Sequence, residues 1–351
     1  MEVDFLLIGQ GLAGSILSYR LIKAGFKVCL VDDGSPTSSS KVAAGLYNPI
    51  TGRKMVKTWQ ADILFDEIET FYKELEIVLN QNFLHPTGIY RPFISYEEQN
   101  EWVAKSADAQ YDRYIGEVFR EPGFPGVSDP FGGLLLKSSG YLDIKKMLQA
   151  YRSWLMNRGD LIQSRFSEEK LIEEASGNWQ FQEIHAPKLI FCNGIGAKES
   201  AFFKWVPFTP VKGEILTVRQ EFTSREIINR GVFRIDLGNG IAKVGSTYNN
   251  REIDLTPTIS GKREILDKLR QLVPIEVTGI VDHQVGIRPA MGDRRPVLGR
   301  HPTKANVYLF GGLGAKGVSL APYFSKEMTE YLISGKEPQK EVNINRFFKY
   351  I

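Results

Sequence analysis

Cysteine and histidine are scarce in this chain: two cysteines, Cys29 and Cys192, and four histidines among 351 residues. Both cysteines lie in apolar runs that read as strands and neither belongs to a CxxC pair, so a disulfide framework is not expected. His85, His185, His283 and His301 show no HxxxH or similar ligand spacing, so no metal site is expected either. An excess of one charge is also missing. Lys plus Arg is 44 against 41 for Asp plus Glu, and the net charge of +3 does not point to nucleic acid. No uninterrupted apolar run approaches the roughly 18 residues of a membrane span. The opening MEVDFLLIG has acids where a secretory leader carries lysines, and Gly9 cuts its apolar stretch short, so the expectation is a cytoplasmic protein. With 42% hydrophobic and 24% charged residues, the composition is that of an ordinary folded chain.

What the chain does have is concentrated at its start. Val3 to Ile8 reads as a buried parallel strand. Gly9-Gln10-Gly11-Leu12-Ala13-Gly14 follows, and then Ala13, Ile16, Leu17, Leu21 and Ala24 recur at helical spacing until Gly25. Phe26 to Val31 is a second strand ending in Asp32-Asp33. Beyond a serine-rich loop comes Ala43-Ala44-Gly45. Trp59 to Leu79 reads as a helix, whereas 80–139 reads as short strands and loops rich in Pro, Gly and aromatics. From Asp143 to Gly159 a capped amphipathic helix is predicted. Lys188 to Cys192 is another buried strand, and Val211 to Arg219, Gly231 to Leu237 and Ile241 to Tyr248 read as an antiparallel block. A helix through Ile265 to Leu272, a strand at Val307 to Phe310 and a helix from Ser319 to Ile333 complete the chain. There is no internal repeat.

A glycine turn between strand and helix has a mechanical reading. Gly9 supplies the turn's backbone angles, Gly11 lets a pyrophosphate approach the main chain, and Gly14 lets helix and strand pack closely. The helix N-terminus then offers N–H groups and partial positive charge to phosphates. Asp32, 18 residues past Gly14, stands where a carboxylate meets ribose hydroxyls; Asp33 is the alternative, although strand alternation favours Asp32. An adenine dinucleotide is expected. The loop alone leaves NAD and FAD open.

The remaining motifs decide between them. Ala43-Ala44-Gly45, Gly140-Tyr141-Leu142-Asp143, Phe191-Cys192-Asn193-Gly194, Lys212-Gly213-Glu214, Gly286-Ile287-Arg288-Pro289 and Gly311-Gly312-Leu313-Gly314-Ala315-Lys316-Gly317 together resemble the D-amino-acid oxidase family of flavoproteins, especially its glycine oxidase and sarcosine oxidase branch. The resemblance covers nearly the whole chain. It implies an α/β fold, with a Rossmann-like FAD-binding domain (1–84, 140–206 and 283–351) and an inserted antiparallel-sheet substrate domain (85–139 and 207–282). It also implies that Ala43, Ala44 and Gly45 pass near the pyrophosphate and flavin. Cys192, Asn193 and Gly194 would meet the adenosine half. Gly312, Leu313, Gly314, Ala315, Lys316 and Gly317 would bring a helix N-terminus and a lysine to the flavin's pyrimidine edge. The FAD is expected to be non-covalent, since no cysteine follows Cys192.

Arg288 is the residue expected to pair with a substrate carboxylate, as the matching arginine does in glycine oxidase-like enzymes; the competing reading is a structural salt bridge. The glycine oxidase branch has a second basic residue where this chain has Ala315, with Lys316 one step later, which leaves the substrate open. Tyr47, Asn48, Arg53 and Lys54 line either a pocket or a surface loop. Arg294, Arg295 and Arg300 form a basic cluster, and Phe83 to Tyr96 is read as insert core.

The implied activity is FAD-dependent oxidation of a C–N bond in an amino acid or secondary amine, by hydride transfer to flavin N5, with oxygen or another acceptor. Two alternatives stand beside it. One is a tRNA wobble-uridine-modifying oxidoreductase, to which segments 51–57 and 294–304 would offer basic contacts; the other is a flavin-binding scaffold without turnover.

Overall fold

The computed structural model describes residues 1–52 and 54–351, that is, all but Arg53. Strand Phe5–Ile8 lies inside a six-stranded sheet, flanked by Val28–Val31 and Lys188–Phe191. Leu161–Ile162 adds to one side, and Val307–Gly311 followed by Val297–Arg300 to the other. Every pairing is parallel except that of the last two strands. The runs FLLI and VCLV are buried at every residue, as a sheet covered on both faces requires.

Three helices cover one face of this sheet. Leu12–Lys23 packs along Gly317–Ser334, which in turn packs on Ala61–Leu79. Arg20 joins them: its guanidinium donates to Glu67 at 3.0 Å, to the Pro322 carbonyl at 2.9 Å and to Ser325 Oγ at 2.9 Å. The helix Ile144–Arg158 has the predicted ends, with the Asp143 carboxylate accepting from Lys146 N–H at 3.0 Å and Gly159 left-handed at φ 76°.

A second sheet holds eight strands in the order Gly279–Arg288, Val211–Arg219, Ile241–Gly245, Val232–Gly238, Ile227–Arg230, Ile89–Pro92, Gly133–Leu136 and Ile115–Phe119. It is antiparallel save at one seam, where Ile227–Arg230 runs parallel to Ile89–Pro92. The insert is antiparallel elsewhere, as expected; at this seam the two strands come from distant stretches of chain, so no hairpin forces them to run opposite ways. Residues 283–288, expected in the nucleotide-binding part, instead continue the edge strand Gly279–Arg288, with Arg288 opposite Val211. Without them the backbone of Val211–Gly213 would be unpaired on that side. The loop-like reading of 80–139 also missed helix Tyr96–Lys105.

The two faces of the large sheet have different duties. Leu216, Val218 and Val244 pack under helix Ile259–Leu272 through Ile265 and Leu269. On the opposite face Ile215, Ile235 and Phe233 meet Ala44, Ile50 and Met55, from the loops that leave the parallel sheet. Strand alternation thus aims Gly213 and Ile215 back toward the glycine turn. No helix among the described residues is long and apolar enough to cross a membrane.

Candidate active site

The glycine turn is as tight as its sequence demands. Gly9 has φ +102°, and a Cβ there would stand 2.9 Å from Asn193 Cα; a Cβ on Gly14 would stand 1.9 Å from Gly9 O. Gly11 begins the helix without a capping side chain, and Leu12 N–H donates to Ser40 Oγ at 3.1 Å. Asp32, not Asp33, holds the turn. Its carboxylate accepts from Gln10 N–H at 2.8 Å, Gly34 N–H at 2.8 Å and Arg152 Nη1 at 2.9 Å. Asp33 caps Ser35 N–H at 2.9 Å. Both acids reach the cavity described next. Arg152, from helix Ile144–Arg158, is a partner that no local pattern announces.

One cavity of about 560 Å³ runs from this turn to the large sheet. Gly9, Gly11, Leu12, Ala13, Asp32, Asp33, Ala43, Ala44, Gly45, Cys192, Asn193, Gly194, Arg288, Gly312, Leu313, Gly314, Ala315 and Gly317 all line it. Gly14, which lies behind the turn, and Lys316 are not on its wall. Opening and closing turns therefore share one groove, and a Cβ on Gly317 would come within 2.9 Å of Leu12 Cδ2.

Two features of the wall suit an anionic group. Neither Gly11 nor Lys316 caps the helix it precedes, and neither helix has an acid in its first turn; apart from Leu12 N–H, which Ser40 Oγ accepts, their positive ends face the groove. Ser38 Oγ and Asn193 Oδ1 are buried on the wall without a hydrogen-bond partner, and such groups cost about 1–3 kcal/mol each until something bonds them. These features fit the dinucleotide expected from the motifs. Ser38 and Lys41, which donates to the Gly34 and Ser35 carbonyls at 2.7 Å each, come from the serine-rich loop that the sequence reading passed over. Ser38→Ala is expected to weaken FAD retention about tenfold, the size of one hydrogen bond to a charged or polar group, measured by quenching of flavin fluorescence on titration; unchanged affinity would remove Ser38 from the site.

At the far end, Arg288 lies over Gly213, where a Cβ would be 2.2 Å from Nη2. All its partners are neutral oxygens: Ser246 Oγ at 2.7 Å, Thr247 O at 3.3 and 3.4 Å, and Lys212 O at 3.5 Å. No carboxylate pairs with it among the described residues, which disposes of the salt-bridge reading. Burial pulls its pKa below the usual arginine value, opposed by Tyr248. Ile215, Phe233, Leu255 and Ser246 complete this end.

Lys316 turns off the wall. Its Nζ donates to Thr51 Oγ1 at 3.1 Å and Thr58 Oγ1 at 3.4 Å. Burial first, then Arg295 and Arg294, lower its pKa to about 8, so it is not the solvated lysine that the residue type alone would favour. Tyr47 and Asn48 are buried away from the groove and Lys54 is exposed, while Arg53 lies outside the described residues. Arg294 and Arg300 are exposed, and Arg295 lies 4.0 Å over the Trp59 ring. Of the stretch expected as insert core, Tyr90 and Phe93 are buried in the large sheet's clusters, Phe83 is buried instead among the helices on the parallel sheet, and Ile94 and Tyr96 are exposed.

Comparison with known proteins agrees with this geometry. The family model described as DAO, FAD dependent oxidoreductase, matches residues 4–331. The glycine oxidase of Pseudomonas aeruginosa is 22% identical over 367 residues, covering 96% of each chain. The bifunctional tRNA 5-methylaminomethyl-2-thiouridine biosynthesis protein MnmC of Legionella pneumophila is 23% identical over 329 residues, covering 86% of this chain but 46% of the relative, so the chain spans about half of that protein. Among solved structures, iminodiacetate oxidase from Chelativorans sp. BNC1 superposes with a TM-score of 0.79 at 19% identity over 98% of each chain. With its motifs gathered on one groove and its family model matched almost end to end, the chain belongs to the DAO family of FAD-dependent oxidoreductases.

Proposed function

We propose that this chain oxidises the C–N bond of a small primary or secondary amine that carries a carboxylate. The observation behind this reading is Arg288, a guanidinium facing the groove whose partners are all uncharged. A buried cation without a counter-charge is costly, and a substrate carboxylate repays that cost through charge-assisted hydrogen bonds. The substrates named for two similar proteins, glycine and iminodiacetate, are both amines with carboxylates.

FAD, when bound, supplies the two-electron acceptor. Arg288 fixes the carboxylate, and Gly213 leaves the room in which the guanidinium lies. Ile215, Phe233 and Leu255 form an apolar wall beside it, which excludes water and favours the amine in its neutral form. An amine that enters neutral needs no general base on the protein. Cys192 lies on the wall, and burial drives its thiol pKa up, which disfavours the thiolate that would attack a flavin.

The test is spectroscopic. Without oxygen, glycine, sarcosine, proline, D-amino acids and iminodiacetate are added in turn to the yellow protein, alongside methylamine as the carboxylate-free control. Bleaching by at least one carboxylate amine and not by methylamine is expected. Equal bleaching by methylamine would sink the carboxylate reading, and no bleaching by any of them would favour the scaffold or the tRNA substrate. Admitting air afterwards identifies oxygen or another acceptor.

A further inference from the structure

Strand Ile241–Gly245 stops short of the predicted Tyr248, and residues 246–258 leave it to reach helix Ile259–Leu272. On the way this segment is tied to strand Val211–Arg219 at successive points. Lys212 N–H donates to Asn249 O at 2.8 Å and Asn249 N–H to Lys212 O at 3.0 Å. Lys212 Nζ donates to Asp254 Oδ1 at 2.7 Å. The Glu214 carboxylate accepts from Thr258 N–H at 2.9 Å through Oε2 and from Thr258 Oγ1 at 2.7 Å through Oε1, and His283 Nε2 lies 2.7 Å from the same Oε2.

The same segment shapes the substrate end of the groove. Its first residues supply Ser246 Oγ and Thr247 O to Arg288, the Tyr248 ring lies 5.8 Å from the guanidinium carbon, and Leu255 is on the wall. The tie at Lys212 is unlike a surface ion pair. The Lys212 side chain is 1% exposed, whereas that of Asp254 is 55% exposed. Lifting Asp254 away would strand an ammonium out of water, a far larger penalty than parting two solvated charges. Asp254 is also held ready by Thr256 N–H at 2.8 Å.

We propose that residues 246–258 are a strap seated by Lys212, which makes Lys212 a positioning residue acting through Asp254 on the aim of Arg288. The proposal rests on the carboxylate reading of Arg288, and its test separates the two. Acetate is titrated into the FAD-loaded enzyme and followed by the change in flavin absorption, in the unaltered chain, Arg288→Met, Asp254→Asn, Asp254→Glu and Lys212→Met. Tryptic cleavage after Arg251, exposed on the strap, is timed in the same set.

Asp254→Asn is expected to weaken acetate about tenfold and to speed cleavage after Arg251 by a similar factor, because the buried ammonium has lost its counter-charge. Asp254→Glu restores most of both, and the spectrum of acetate-free flavin does not change. Unchanged acetate affinity in Asp254→Asn overturns the positioning role. If acetate fails to bind the unaltered chain, the carboxylate reading falls, and an unchanged cleavage rate in Asp254→Asn would then overturn the strap by itself.

Discussion

Replacing Arg288 with methionine is expected to lower kcat/KM for the best carboxylate amine by about 10³-fold while the protein stays yellow. The size follows from the site. Removing one partner of a desolvated charge pair costs roughly 2–5 kcal/mol, and each 1.4 kcal/mol is a factor of about ten. Methionine keeps an apolar stem but removes the guanidinium that lies over Gly213, so the loss reports on that group. FAD retention does not change, because the opening turn, the serine-rich loop and the closing helix all lie elsewhere on the groove. Arg288→Lys keeps charge but loses the planar fork, and recovers only part of the activity. Steady-state kinetics with the amine identified by bleaching decides the matter, and a variant as active as the unaltered chain would end the assignment.

Gly14→Ala is expected to yield a colourless protein whose Tm is lower by about 5 °C or more. The added methyl would stand 1.9 Å from Gly9 O and 3.2 Å from Cys192 Cβ. The first of these contacts is backbone, which cannot swing aside, so helix and turn must separate. Overpacking of this kind costs about 3 kcal/mol, and each kcal/mol moves Tm by roughly 2 °C in a chain of this size. The turn that Asp32 and Gln10 hold is lost with it. Gly25→Ala is the matched comparison: its φ is +90°, but nothing stands within 4 Å of the new methyl, so only the backbone cost of about 1 kcal/mol remains and the colour persists. Calorimetry and the visible spectrum of both variants check the prediction; a yellow Gly14→Ala protein would refute it.

These expectations show which parts of the molecule can be read from residues and which cannot. The helix Ile144–Arg158 was legible to its ends because Asp143 and Gly159 act on neighbours along the chain. The groove's two turns were legible for the same reason: each is a run of glycines whose backbone demands are local. Helix Tyr96–Lys105 was missed although its signature was present. Ser95 Oγ accepts from Glu98 N–H at 3.3 Å and Glu98 reaches back to Ile94 N–H at 3.0 Å, a variant of the capping box. The surrounding aromatics obscured it.

Other features had no local trace. Arg152 finds Asp32 from 120 positions away. The run Ile241 to Tyr248 alternates like a strand to its end, yet the ladder breaks after Gly245, where Ser246 and Thr247 are turned to Arg288, and returns only as a single bridge between Asn249 and Lys212. Sequence spacing cannot show a side chain reaching across a sheet. Lys316 illustrates the same limit: its neighbours in the chain are glycines and alanine, but Thr51 and Thr58 set its surroundings.

The groove draws on residues from Gly9 at one extreme of the chain to Val318 near the other. During synthesis, therefore, a nascent polypeptide can complete strands, helices and most of the large sheet while still lacking a wall for its coenzyme. Only when the ribosome has released the segment beyond Gly317 does the pocket close on both sides. A product truncated before Gly312 therefore keeps the opening turn but lacks the wall that faces it.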